Sequence, residues 1–182
     1  MHPDDRLSLE DERKRYELHR NDSRDRGYRT HLLKVLDPLR DYISKGVALD
    51  FGCGQSPATS EILQQRGFTV FRYDPIFAPD EALLQHMYDC VVCIEVAEHF
   101  FSPKREFSAL YRLLKPGGWL AMSTKLRTPD QEIETWWYAK DPTHVSLYGR
   151  ETVDWIEGAW GWKLFLSSGD VHLFQKGHLG MA

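Results

Sequence analysis

The chain has 182 residues, a net charge of −4 and 42% hydrophobic residues. That length suits one domain with a substantial core, and the acidic balance lacks the electrostatic footprint of a nucleic-acid binder. No apolar stretch is long enough to span a bilayer, and the charged N-terminus lacks the apolar run of a signal peptide, so a cytoplasmic protein with no membrane partner is expected. Three cysteines, Cys53, Cys90 and Cys93, read as reduced thiols. Cys90 and Cys93 have C-x-x-C spacing, but a strand would place them on opposite faces.

Residues 1–26 are dense in both charge signs and suit a solvated helix or a mobile lid. Tyr28, Leu32, Leu36, Leu39 and Ile43 then recur at helical spacing, with Pro38 as a kink or a new start and Gly46 as the stop. VALDFGCG (47–54) follows. Val47, Ala48 and Leu49 suit a strand buried on both faces, Asp50 stands at its carboxyl end, and Gly52 and Gly54 allow a tight turn with bare backbone near a ligand. Thr59 to Arg66 predicts a helix closed by Gly67. FTVFRYDP (68–75) predicts a second strand ending in Asp74, and Cys90 to Ile94 a third. Ser102 as N-cap and Pro103 at the first helical position open a helix through Leu114. LLKPGGWLAMSTKL holds a helix stop, a turn and another strand. Residues 127–149 are aromatic and irregular, Arg150 to Ala159 predicts a helix, and Trp162–Ser167 with Val171–Gln175 a closing hairpin around Gly169–Asp170. Alternating strands and helices imply a mostly parallel, doubly wound α/β sheet.

Asp74 lies about twenty residues beyond the glycine turn, where an acid can accept from two ribose hydroxyls. A strand-end aspartate capping a turn before Pro75 is the structural alternative. Pro57 occupies the place of the third glycine in G-x-G-x-x-G, which argues against a nicotinamide or flavin dinucleotide.

The acid-x-Gly-x-Gly of VALDFGCG, with Ser56 in the third small position, resembles the S-adenosylmethionine loop of class I methyltransferases. EVAEHF (95–100), a helix, and LLKPGG (113–118) follow in the order and spacing of that family, and the resemblance covers about residues 28–126. Within that family the chain resembles the polyprenyl-benzoquinol O-methyltransferase group. The resemblance implies a single domain over 1–182: N-terminal helices or lid (1–45), cofactor core (46–126), then a substrate-wall segment and closing hairpin (127–182). The fold is Rossmann-like with an antiparallel last strand. Only 13 residues separate Asp74 from Tyr88, so the third-strand unit should be shortened or missing. The family's adenine-contacting acid then has no clear counterpart, Asp80 being the candidate.

The implied cofactor is S-adenosylmethionine. Asp50, Gly52, Cys53 and Gly54 would hold its amino-acid part, Asp74 and Pro75 its ribose, Ile76 and Phe77 would flank adenine, and Ile94, Glu95 and Val96 would line the methionine side. His144 and His99 are general-base candidates, with Glu98 beside them. Trp136, Trp137 and Tyr138 would wall the substrate pocket, or form a core cluster under a loop. Tyr16, His19 and Asn21 belong to a segment similar to a bacterial methyltransferase lid that shares Asp-Pro-Thr-His.

Glu95, Glu98 and His99 would share one helical face at i, i+3 and i+4. With His144 they resemble the metal site of small-RNA 3′-end methyltransferases, whereas many metal-free relatives keep Glu-His here for packing. The expected activity is methyl transfer to a small molecule, O-methylation foremost. The alternatives are metal-dependent transfer to an RNA 3′ end or a diol, and an idle methyltransferase fold acting as a binding module. The oligomeric state is not legible.

Overall fold

The computed structural model describes residues 6–18 and 22–177. Helix α1 (Leu9–Glu17) is capped by Ser8, whose hydroxyl accepts from the Asp11 N–H. Helix α2 (Arg26–Leu39) starts at Asp25, whose carboxylate accepts from the Tyr28 N–H. It stops just past Pro38 rather than continuing to Ile43. Proline has no N–H to donate back to the preceding turn, which weakens the helix there. Gly46 opens strand β1 (Gly46–Phe51) instead of closing the helix. Helix α3 (Ala58–Gln65) and strand β2 (Phe68–Tyr73) complete the first unit.

Strand β3 (Tyr88–Ile94), helix α4 (Pro103–Leu113) and strand β4 (Leu114–Ser123) form the second unit. The Ser102 hydroxyl makes no cap bond, contrary to the expected capping; its carbonyl instead receives the Arg105 and Glu106 N–H groups. Two residues each from β5 (Leu126–Arg127) and β6 (Tyr148–Gly149) pair in parallel. Helix α5 (Arg150–Trp160) and the hairpin of β7 (Trp162–Ser168) and β8 (Val171–Lys176) close the fold.

The main sheet has the order β2-β1-β3-β4-β8-β7. Strands β2, β1, β3 and β4 are mutually parallel, and β8 runs antiparallel to β4 and β7. Between Asp74 and Tyr88 the structure has a short 3-10 turn, Glu81–Gln85, and no strand. The third-strand unit is therefore missing, and β2 is the sheet edge.

Both faces of the sheet are buried, which explains the unbroken apolar runs. Leu49, Val91, Cys93, Leu120, Met122 and Phe174 face α4 and α5, while Ala48, Cys90, Val92, Trp119 and Leu173 face α2 and α3. Cys90 and Cys93 lie on opposite faces, as alternation requires.

Candidate active site

The loop after β1 turns at Gly52 (φ 72°) and Gly54 (φ 55°), both in the left-handed region that suits glycine. The Gly52 and Cys53 N–H groups donate to the Tyr73 carbonyl at 2.8 and 3.1 Å, tying the turn to β2. A side chain added at Gly54 would meet nothing within 4 Å. The turn thus offers bare backbone to open space at the carboxyl ends of β1 and β2. Arg72 braces it: one guanidinium nitrogen donates to the carbonyls of Gly54, Gln55 and Ser56 at 3.1, 3.3 and 2.9 Å. Sequence reasoning missed Arg72. The available signal was a charged residue one position before the strand-end Tyr73-Asp74, in register with Asp50.

Asp50 lies beneath the turn, 4% exposed, and accepts from the Ser60 hydroxyl at 2.9 Å. Burial, aided by the charge of Asp74, pushes its carboxyl up to about 6, against the pull of Ser60 and Arg72. Cys53 is partly buried, and burial pushes its thiol up to about 12, so it stays protonated and unreactive.

Asp74 is buried at the end of β2. Its Oδ1 accepts from the Ile76 and Phe77 N–H groups at 2.8 and 2.9 Å, and its Oδ2 from the Gly54 N–H at 3.0 Å. The turn-capping role before Pro75 is therefore present. Three of about four acceptor sites are used, which leaves Oδ2 room for one ribose hydroxyl rather than two. Asp74→Ala is accordingly expected to lower stability by about 2 kcal/mol as well as weakening cofactor binding. Urea unfolding and calorimetry separate the two effects, and unchanged cofactor affinity would remove Asp74 from the site.

The turn after β3 brings Ile94, Glu95 and Val96 against the glycine turn. A methyl group added at Gly52 would sit 2.5 Å from a Val96 methyl, so the two turns touch. Glu95 has φ 54°, strained for a residue with a side chain. This overturns the expected shared helical face of Glu95, Glu98 and His99: the helical turn covers only Ala97–His99. The Glu95 carboxylate points instead to Ser123, whose hydroxyl donates at 2.8 Å, and to His31 Nε2 at 3.9 Å.

Glu98, His99 and His144 do converge, with one ligand atom of each lying within 4.8 Å of the others. Residues 143–148 are stitched onto 97–100. The Ser146 N–H donates to the Glu98 carbonyl, its hydroxyl to that of Phe100, and the Tyr148 hydroxyl to that of Ala97. His99 Nδ1 donates to the Thr143 carbonyl at 2.9 Å and His144 Nδ1 to the Tyr138 carbonyl at 2.7 Å. A carbonyl only accepts, so each neutral ring leaves Nε2 as its basic nitrogen. Glu98 is 1% exposed, and its Oε2 has no hydrogen-bond partner among the described residues. Burial, then the nearby charge of Glu95, pushes its carboxyl up to about 7, against the hydrogen bonds of Tyr138 and Thr124.

The aromatic trio divides. Trp136 and Tyr138 are buried, and the Tyr138 ring lies 4.1 Å from the His144 ring. Trp137 is 65% exposed beside Lys125. Trp136 and Tyr138 thus support the histidine segment, and the three form no joint stacking surface. Tyr16 on α1 meets the His99 ring edge-on at 5.4 Å; His19 and Asn21 lie outside the described residues. Asp141, also missed in the sequence, accepts from the Thr143 N–H and hydroxyl and pairs with Arg15 of α1 at 2.7 Å.

A methyltransferase-domain family profile matches residues 22–165. The chain belongs to the methyltransferase-domain family. It is 34% identical to a ubiquinone biosynthesis O-methyltransferase of Pseudomonas entomophila strain L48, a match covering 53% of this chain and 55% of that protein. The chain therefore spans about half the length of the curated relatives it matches. Its fold resembles N-methyltransferase NodS of Bradyrhizobium japonicum WM9, solved with S-adenosylhomocysteine. The TM-score is 0.64 and the identity 16%, covering 93% of this chain and 99% of that one. It also resembles 1,6-didemethyltoxoflavin-N1-methyltransferase of Burkholderia thailandensis, with TM-score 0.63 and 12% identity, covering 93% and 84%.

The family implies S-adenosylmethionine as cofactor, and this methyltransferase domain has residues that fit it. The open backbone at Gly54, the spare acceptor on Asp74 and the Ile94–Val96 turn follow the carboxyl ends of β1, β2 and β3, where such a sheet binds its ligand.

Proposed function

We propose that this protein transfers a methyl group from S-adenosylmethionine to an oxygen of a small-molecule acceptor. The observation that carries this reading is the convergence of Glu98, His99 and His144, on the segment that follows Val96, which meets Gly52 of the glycine turn. The bound cofactor supplies an activated methyl group on a cationic sulfur. Gly52, Gly54, Asp50 and Arg72 hold and brace its cradle, and Asp74 accepts from the ribose. Nε2 of His144 or His99 takes the acceptor hydroxyl's proton as the oxygen gains the methyl. Tyr16 of helix α1, edge-on to the His99 ring, would help keep water from this space. The charge of −4 disfavours a nucleic-acid acceptor. No helix among the described residues is long and apolar enough to cross a membrane. The three free cysteines support a cytoplasmic setting.

One observation favours a second reading. Two imidazole Nε2 atoms and a carboxylate with an unpartnered, buried oxygen form a donor set suited to a divalent metal. Both rings are oriented by Nδ1–H bonds to carbonyls, as metal-bound imidazoles are. Such a metal would hold two neighbouring oxygens of a diol. Glu95, expected in the same ligand set, stands apart from these three.

Calorimetric titration with S-adenosylhomocysteine, on metal-stripped and Mn²⁺-loaded protein, tests both readings. Binding in both forms supports the cofactor site. Stoichiometric Mn²⁺ uptake that disappears in His144→Ala supports the metal-assisted version. No nucleoside binding in either form would favour an idle binding module.

A further inference from the structure

Strand β2 is a free edge of the sheet, because the third-strand unit that would cover it is missing. The Tyr73 carbonyl accepts from the Gly52 N–H, so Tyr73, Phe71 and Thr69 turn their backbone groups to β1. Phe68, Val70, Arg72 and Asp74 turn theirs outward. Asp74 bears this out, since its N–H and carbonyl both bond to Ala78 at 3.0 Å where the chain folds back along the edge. The return stops there. Pro79 has no N–H, and the Asp80 N–H donates to the Ala78 carbonyl at 2.9 Å. The outward N–H and C=O groups of Val70 and Arg72, in the middle of the strand, therefore have no partner among the described residues. The two residues border a groove whose walls include Ala78, Pro79 and Leu83.

Natural edges are usually kept from pairing by a proline, a lysine, a bulge or an exposed charge. Strand β2, FTVFRY, has no proline or lysine and pairs with β1 without a bulge. Its single charge, Arg72, is spent on the carbonyls of Gly54, Gln55 and Ser56. What the edge exposes is apolar. Phe71 is 42% exposed, and its ring lies 6.3 Å from that of Tyr88, whose neighbour Met87 is 56% exposed.

The strand is complementary to itself. Under a two-fold axis through Phe71, Val70 of one copy faces Arg72 of the other, and the reverse. All of these are outward residues, so both pairs exchange N–H···O=C bonds and the unpartnered groups are satisfied. Phe71 then meets Phe71 at the closely spaced position, with about 4.5 Å between Cα atoms, as an aromatic cross-strand pair. The length of the slot selects the same occupant. Ala78 holds the place beside Asp74, where Phe68 of the other copy would fall. The other copy's chain turns off just there, at Gly67 (φ 94°), whereas a longer extended peptide would run into Ala78.

We propose that two copies of this chain associate through β2, antiparallel about a two-fold axis at Phe71, each copy filling the place of the other's missing strand. The sheet becomes continuous across the pair. The contact is short, so the association is weak, and it stands independently of the cofactor reading.

Sedimentation velocity of the full chain tests this. From about 1 to 200 µM, wild type should pass from monomer to dimer. Phe71→Lys sets two like charges face to face on the axis and should weaken the dimer at least about tenfold. Its circular dichroism should match wild type, because Phe71 already reaches solvent. Cross-linking by oxidised glutathione reads the register. Phe71→Cys places two thiols within the span of a disulfide, whereas a cysteine at Thr69 would face Tyr73. Phe71→Cys should therefore form a covalent dimer at least about tenfold faster than Thr69→Cys, with wild type giving the background from Cys53, Cys90 and Cys93. Should Phe71→Lys fail to fold, this pair of variants decides alone. A wild type that stays monomeric at every concentration overturns the proposal and leaves the edge to another chain. A dimer that survives Phe71→Lys, or that cross-links as fast at Thr69, overturns the assignment to β2.

Discussion

Gly52→Ala is expected to reduce S-adenosylhomocysteine affinity on the order of a hundredfold and to destabilise the fold by about 3 kcal/mol. Two costs combine. The residue sits at φ 72°, where an L side chain crowds its own backbone. The new methyl would also lie 2.5 and 2.7 Å from the two Val96 methyls. Neither turn moves freely. Gly52 and Cys53 are tied to the Tyr73 carbonyl, and Glu95, next to Val96, is tied to Ser123. The strain must then open the seam between the glycine turn and the β3 turn, where the cofactor's amino-acid part is proposed to lie. Adding Val96→Ala removes the clashing methyls but not the φ penalty, so the double variant should recover part of the stability. Thermal melts and calorimetry read the two effects. Affinity within threefold of wild type would show that this turn is not the cofactor cradle.

Asp50→Asn is expected to act in opposite directions on stability and binding. The folded carboxyl titrates near 6 against an ordinary 3.8, because burial disfavours its charge. A raised acid pKa means the folded state holds the proton more tightly. Its contribution to stability is therefore complete below about pH 4, is lost as pH rises towards 6, and stays lost above. The shift corresponds to about 3 kcal/mol. Asparagine does not ionise and can still accept from Ser60. The variant should melt about 5–10 °C above wild type at pH 7.5, with little difference at pH 4. Cofactor affinity should fall, because the negative charge beneath the turn is lost near a cationic ligand. Parallel pH-dependences of melting would show that Asp50 ionises normally.

The strand–turn–helix units were legible because each rests on local signals. Apolar runs marked β1, β3 and β4, glycines marked the turns, and the 13 residues between Asp74 and Tyr88 left no room for a third strand and its helix. The meeting of His144 with Glu98 and His99 was implied by the resemblance to a known metal site, and the hydrogen bonds that join Thr143, Ser146 and Tyr148 to residues 97–100 bring it about. Glu95 was misassigned because helical spacing says nothing about a backbone reversal. Its position follows from Ser123, 28 residues away. Arg72 was overlooked because a charge near a strand end does not say that its partners are three carbonyls of a separate loop.

By itself the sequence determined the order of elements, the two buried faces of the sheet and the glycine turn, since periodicity and backbone freedom are properties of neighbouring residues. The tertiary structure alone decided which acids have partners. It assigned Asp74 to the turn, Glu95 to Ser123, and left Glu98 buried with an unpartnered oxygen. The physical reason is that burial and hydrogen bonding of a carboxylate depend on what packs against it from distant segments, and those neighbours exist only once the chain has folded.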